Sequence, residues 1–107
     1  MATTYRQAVT TLTEAIGNLD RAYQSAYSMD DKNRLFSMRE LLQEELDTVS
    51  AAGLSHSRSG YQAQTPLFKI AAHYLAQSRE TINQHVNHIR TVGQVADSLA
   101  KVVRLLA

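Results

Sequence analysis

The sequence predicts an all-α protein, an antiparallel three-helix bundle with a long C-terminal helix. Proline and glycine, which most disfavour a helix interior, account for only one and four of the 107 residues. Apolar residues recur at alternating steps of three and four along three stretches, which is typical of helices with one buried face. The connections are polar and short enough to keep consecutive helices antiparallel. A chain of 107 residues is predicted to form a single domain.

The first helix is predicted over about residues 4–27. Thr4 and Gln7 have the spacing of a capping box, in which each side chain bonds the backbone N–H of the other residue. The seam that follows consists of apolar and aromatic residues: Tyr5, Val9, Leu12, Ile16, Leu19, Tyr23 and Ala26. Such a seam indicates a helix that packs along its length on a neighbour.

The second helix is predicted over about residues 30–52. Ser28 or Asp30 is its expected N-cap, because short polar side chains accept hydrogen bonds from the first free N–H groups of a helix. The buried stripe consists of five residues: Leu35, Met38, Leu42, Leu46 and Val49. Gly53 followed by Leu54 predicts the end of the helix, with glycine in the left-handed conformation.

Residues 53–65 are predicted to form a loop, and residues 66–106 one unbroken third helix. Thr65 and Pro66 suit the N-cap and the first helical position. The apolar seam continues for about five heptads and includes two polar residues, Ser78 and His85. A histidine in a seam predicts a register-setting hydrogen bond, and its titration would be a second, pH-sensing role.

The third helix would be about 60 Å long, against about 36 Å and 33 Å for the first two, so its apolar end would project without support. An exposed apolar helix face predicts a protein interface, and we expect a homo-oligomer with a dimer favoured. The predicted interface lies at the C-terminal end: Val92, Val95, Ala96, Leu99, Val102, Val103 and Leu106. Alternatively, a break near Gly93 would fold the last turns back and give a four-helix bundle.

Two histidines suggest an alternative function. His85 and His88 are three residues apart on one predicted helix, close enough to share a metal ion, with Glu44 or Glu45 as a further ligand. Such a pair would suit a metal-binding or small-molecule-binding helical bundle, although the chain lacks the Glu-x-x-His motif of di-metal carboxylate bundles. The sequence contains no phosphate loop, dinucleotide fingerprint or HExxH motif, so we expect neither enzymatic activity nor a cofactor.

A basic stripe suggests a third function. Arg79, Arg90 and Lys101 recur every eleven residues along the predicted third helix, and Arg104 follows them. Four such charges could contact phosphates, as in a nucleic-acid-binding regulator. The net charge of only +1 gives no general attraction to nucleic acid or anionic membranes, and we expect neither as a partner.

A non-enzymatic protein–protein interaction module, acting through coiled-coil-like helix packing, is the function that the sequence favours. The polar loop supplies a second candidate contact for a partner, formed by His56, Arg58 and Tyr61. The chain has no cysteine and no apolar run long enough to span a bilayer, which predicts a cytoplasmic protein.

Overall fold

The computed structural model describes residues 3–106 and confirms the predicted all-α helical bundle. Within this range the chain forms α1 (Tyr5–Gln24), α2 (Met29–Ala51), α3 (Pro66–Lys69), α4 (Ala72–Thr81) and α5 (Ile89–Leu105). A 3₁₀ turn, Ile82–Gln84, follows α4 directly. In the part described, no helix has both the length and the apolar content needed to cross a membrane.

Four of the helices alternate in direction around the bundle. The loop before α3 lies beside the start of α1, where Tyr5 N donates to Ser59 O over 3.1 Å. The turn before α5 lies beside the end of α1, where Asn87 N donates to Ser25 O over 2.7 Å. Helix α1 packs between α2 and α5, and α5 also packs against α4. The result is an up-down-up-down bundle of α1, α2, α4 and α5.

The predicted helix ends are present where local motifs specify them. Thr4 and Gln7 form the capping box of α1, Ser28 caps α2, and the Thr65 hydroxyl accepts a hydrogen bond from Phe68 N at the start of α3. Gly53 has a φ of 73° and ends α2, with Leu54 N donating to Val49 O over 3.0 Å. Each of these signals acts within a few residues, so tertiary contacts do not override it.

The prediction of one helix over residues 66–106 is wrong. The helix is interrupted at Ile70–Ala71 and again at residues 85–88, where the chain reverses. The predicted alternative was a break near Gly93 that folds the last turns back into a four-helix bundle. The chain does fold back, but the break lies at residues 85–88, and Gly93 lies inside α5. The longest dimension of the bundle is 39 Å, which leaves no room for a 60 Å helix.

Tertiary contacts explain the reversal at residues 85–88. Tyr27 N donates to His85 O over 3.2 Å, and an isolated antiparallel bridge joins Ala26 to Val86. Val86 is buried in the core. The turn between α1 and α2 therefore supplies the backbone partners that the interrupted helix loses, which the heptad pattern of a single segment does not reveal.

The reversal buries the C-terminal segment inside its own chain. Val95, Leu99 and Val102 are fully buried in the core, and Val92, Ala96, Val103 and Leu106 pack against it at partial burial. The premise of an unsupported apolar overhang is therefore wrong. Self-association through residues 92–106 stays a prediction, but the surface it was based on is already covered by α1 and α4.

One side of the bundle is more open than the others. Helix α2 packs against the single turn of α3, whereas α2 and α4 are not among the closely packed pairs. Their buried side chains still belong to one apolar cluster, in which Leu35 and Leu42 of α2 join Phe68 and Leu75. The backbones stand apart above that cluster, and the gap forms a groove at the surface.

Candidate functional site

A broad groove lies between α2 and the α3–α4 segment. It encloses about 1040 Å³. Its lining combines apolar residues with a polar edge: Phe36, Ser37, Glu40, Leu41, Gln43, Glu44, Asp47, Thr48, Ala51, Leu67, Ile70, Ala71 and Tyr74. Concave surfaces of this size are where proteins usually bind ligands or partner side chains.

Large apolar side chains are exposed along both walls of the groove. Phe36 on the α2 wall is 53% exposed. On the opposite wall Leu67 is 58%, Ile70 77% and Tyr74 41% exposed. Single exposed apolar residues are ordinary, but several lining one groove are typical of an interaction surface.

Local structure explains why these side chains face solvent. Phe36 follows the buried Leu35 by one position, so it lies on the shoulder of α2 rather than on its core face. Ile70 is the C-cap of α3, at the interruption between α3 and α4. The heptad seam runs through Ala71 and Leu75, which are both buried, so Ile70 lies beside the seam and faces solvent.

The charged residues that line the groove are all acidic. Glu40, Glu44 and Asp47 follow one another along α2, and none of the described basic residues lines this depression. Arg39 Nη1 lies 3.0 Å from Glu40 Oε1 in an exposed ion pair. Among residues 3–106, Glu44 and Asp47 form no ion pair, so their charges face solvent on the groove edge.

A smaller depression of about 440 Å³ adjoins the groove. Tyr74 lines both depressions. The smaller one also includes Arg34, Glu80 and His85, and its charges are mixed in sign.

Beneath the α2 wall, the fully buried Glu45 fixes the two walls relative to each other. Its carboxylate accepts hydrogen bonds from Tyr61 Oη at 2.5 Å and from Gln64 N at 2.9 Å. It also accepts two from Thr65, from the backbone N at 2.9 Å and from Oγ1 at 3.0 Å. A buried carboxylate is tolerated when donors surround it in this way. These bonds attach the segment before α3 to the C-terminal third of α2.

Tyr61 belongs to this internal network. Burial and the hydrogen bond to Glu45 raise the pKa of Tyr61, so its hydroxyl keeps the proton that it donates. Its ring packs edge-on against Tyr5, with the centroids 5.3 Å apart. His56 and Arg58 are exposed. Of the predicted loop contact, Tyr61 therefore has a structural role, and only His56 and Arg58 are freely presented.

The two candidate metal-binding histidines have other partners. His85 Nδ1 lies 2.6 Å from Asp31 Oδ1, while His88 Nδ1 accepts a hydrogen bond from Thr91 N and caps α5. Glu45 is occupied by its own donors, and Glu44 is exposed on the groove edge. Residues 3–106 do not bring three or more potential ligands of the His, Cys, Asp or Glu type together.

The His85–Asp31 pair joins the chain reversal to the first turn of α2. Hydrogen bonds from His85 and from the Ser28 hydroxyl lower the pKa of Asp31. Both side chains are largely buried, which favours a stable contact. The expected hydrogen bond of His85 is therefore present, although His85 lies in a turn and not in a helical seam.

The predicted basic stripe is divided between two helices. Arg79 lies on α4, whereas Arg90, Lys101 and Arg104 lie on α5, beyond the reversal. All four side chains are exposed. Because α4 and α5 run in opposite directions, the eleven-residue spacing no longer places Arg79 in line with the others.

Sequence reasoning missed the groove, because it depends on the distance between α2 and α4 and on the interruption at Ile70. The available signal was the pair of large apolar residues outside the heptad seams, Phe36 and Ile70.

Comparisons of the chain with models of protein families, with characterised proteins and with solved structures give no match.

Proposed function

We propose that this protein is a non-enzymatic interaction module that binds an amphipathic helix of another protein in the groove between α2 and α3–α4. The observation that carries the proposal is the exposure of Phe36, Leu67, Ile70 and Tyr74 along one continuous depression. A groove with an apolar floor and a polar edge is suited to bury the apolar face of a helix.

The length of the groove supports a helical occupant. Its α2 wall runs from Phe36 to Ala51, which at about 1.5 Å per residue is about 22 Å, or four helical turns. A partner helix of about 16 residues would match this length and would present apolar side chains at positions i, i+3 or i+4, and i+7. Coiled-coil-like packing, which the sequence predicted, would then occur in the groove and not at residues 92–106.

The apolar contacts of the groove favour a reversible complex. Full burial of a large apolar side chain is worth about 1.5–3 kcal/mol, so covering a half-exposed one contributes about 1 kcal/mol. The four exposed large apolar residues of the groove must also offset the entropy lost on association, together with the matching side chains of the partner. This balance is typical of adaptor or regulatory contacts rather than of permanent assemblies.

The cytoplasmic location of the protein stays a prediction.

The experiment is a selection from a displayed library of amphipathic helices about 16 residues long, followed by affinity measurement on a selected peptide. Ile70→Ser should weaken binding on the order of tenfold, because it removes the most exposed apolar contact of the groove. Ile89→Ser is the matched control, since Ile89 is 91% exposed but lies at the start of α5 and lines no described depression. Equal losses in both variants, or no enriched peptide, would contradict the proposal.

A further inference from the structure

We infer that the helix bound in this groove is basic, with lysine or arginine residues beside its apolar face on the edge that meets α2. This inference rests on the proposed function and adds the chemical class of the partner. It is carried by the charge of the groove, by the orientation of α2, and by the exposed faces of the other helices.

The charge of the groove is entirely of one sign. Glu40, Glu44 and Asp47 lie three or four residues apart, so they form one row along the exposed side of α2. The apolar walls next to this row lower the local dielectric constant, which strengthens the field that a partner experiences. A helix with cations on the facing edge gains attraction, whereas one with carboxylates there would be repelled.

The C-terminal end of α2 adds to the same field. Ala51, the last residue of α2, lines one end of the groove. The last turn of α2 contains no basic residue, so the partial negative charge of the helix terminus is not offset within its own helix. The negative potential therefore extends over the C-terminal half of the groove, where Glu44 and Asp47 also lie.

The exposed faces of α1 and α5 in a second copy of this chain do not suit the groove. The solvent-facing side chains of α1 are polar or charged, such as Arg6, Glu14 and Arg21. Those of α5 are likewise polar or charged except for Ile89 at its first position, and the one exposed glycine, Gly93, has no side chain. Neither helix therefore presents the apolar stripe that the groove would bury. Packing two grooves face to face would bring two rows of carboxylates into one interface, where like charges repel.

The test uses the 107-residue chain and a displayed library of helices of about 16 residues. Lys, Glu and Gln are equally frequent at the positions that flank a fixed apolar stripe in this library. Enriched peptides should carry lysine on one flank. One enriched peptide is then compared with versions in which glutamine or glutamate replaces those lysines. We expect affinity in the order lysine, glutamine, glutamate, and a loss of the lysine advantage at high salt.

Paired variants of the protein assign the effect to the groove. Glu44→Gln with Asp47→Asn should weaken the lysine peptide on the order of fivefold and leave the glutamine peptide unchanged. Glu14→Gln with Asp97→Asn is the matched control, because it removes two exposed carboxylates from α1 and α5 and should change neither affinity. Equal losses from both double variants would overturn the inference.

The outcomes separate this inference from the proposed function. Enrichment of helices without charge preference, with binding still lost in Ile70→Ser, would overturn the basic partner but keep the groove as a helix-binding site. No enrichment of any helix would overturn both. A dimer in sedimentation equilibrium that Ile70→Ser dissociates would identify a second copy as the occupant and would also overturn the inference.

Discussion

Glu45 and Thr65 are joined by two hydrogen bonds, from the backbone N and the hydroxyl of Thr65 to the same carboxylate oxygen, at 2.9 Å and 3.0 Å. The Thr65 hydroxyl in turn accepts from Phe68 N and caps α3. The contact thus sets the position of α3 against α2, and with it the spacing of the groove walls. The groove is therefore held from beneath by a buried polar network rather than by close packing of α2 on α4.

Replacing Glu45 with alanine should destabilise the protein by about 3 kcal/mol or more. The change would leave the donors on Tyr61, Gln64 and Thr65 without an acceptor in a buried setting. Chemical denaturation checks this. Glu44→Ala is the control on the same helix, and it should change the free energy of unfolding by no more than about 0.5 kcal/mol because Glu44 is exposed. Similar effects for the two variants would contradict the structural role of Glu45.

The His85–Asp31 pair should make stability depend on acid pH. Because the folded state lowers the pKa of Asp31, the ionised carboxylate contributes stability above the ordinary pKa of aspartate, and this contribution is lost as the pH falls through the lowered value. The difference in free energy of unfolding between wild type and Asp31→Asn should therefore be largest near neutral pH and shrink in acid. A difference that stays constant from pH 7 to well below the ordinary aspartate pKa of 3.8 would argue against the pair.

Replacing Gly93 with alanine should stabilise the protein by about 0.5–1 kcal/mol. Gly93 is exposed inside α5, and a Cβ there would have no neighbouring atom within 4 Å. Alanine is the better helix former by about that amount. Gly53→Ala should have the opposite sign, since the φ of 73° at Gly53 is strained for any residue with a side chain. Thermal unfolding of the two variants checks both predictions. A loss of stability in Gly93→Ala would contradict a continuous α5 and would support a chain break at Gly93.

Replacing Leu99 with alanine should destabilise the folded chain by about 2–5 kcal/mol. Leu99 is fully buried within the chain, so truncation leaves a cavity in the core. The loss should be the same at low and high protein concentration, because no second chain is needed to bury this side chain. Unfolding measured over a hundredfold range of concentration, in about the micromolar regime, checks this. A concentration-dependent loss would indicate that Leu99 lies in an interface between chains, as the sequence predicted.

Much of the fold could be predicted from the sequence because its signals are local. The caps at Thr4, Ser28 and Thr65 and the stop at Gly53 each depend on residues within one or two turns. The apolar stripes of α1 and α2 likewise identify the core faces of those helices. These features hold whatever the neighbouring helices do.

The reversal at residues 85–88 could not be predicted in this way. No proline or glycine marks it, and its backbone partners belong to the turn between α1 and α2. The heptad seam continues across the reversal because Val95, Leu99 and Val102 are also apolar. They are apolar because α5 buries them against α1, and they do not extend the seam of a longer helix. The groove was missed for the same reason, because it depends on the spacing between α2 and α4, which the pattern of a single segment does not contain.

The most direct test of the central claim is a backbone amide NMR titration of the 107-residue chain with a lysine-flanked amphipathic helix obtained by selection. The groove as a helix-binding site predicts shifts concentrated at Phe36, Glu44, Ile70 and Tyr74, with α1 and the exposed face of α5 unchanged. Shifts confined to α1 and α5, or spread evenly over the chain, would contradict it.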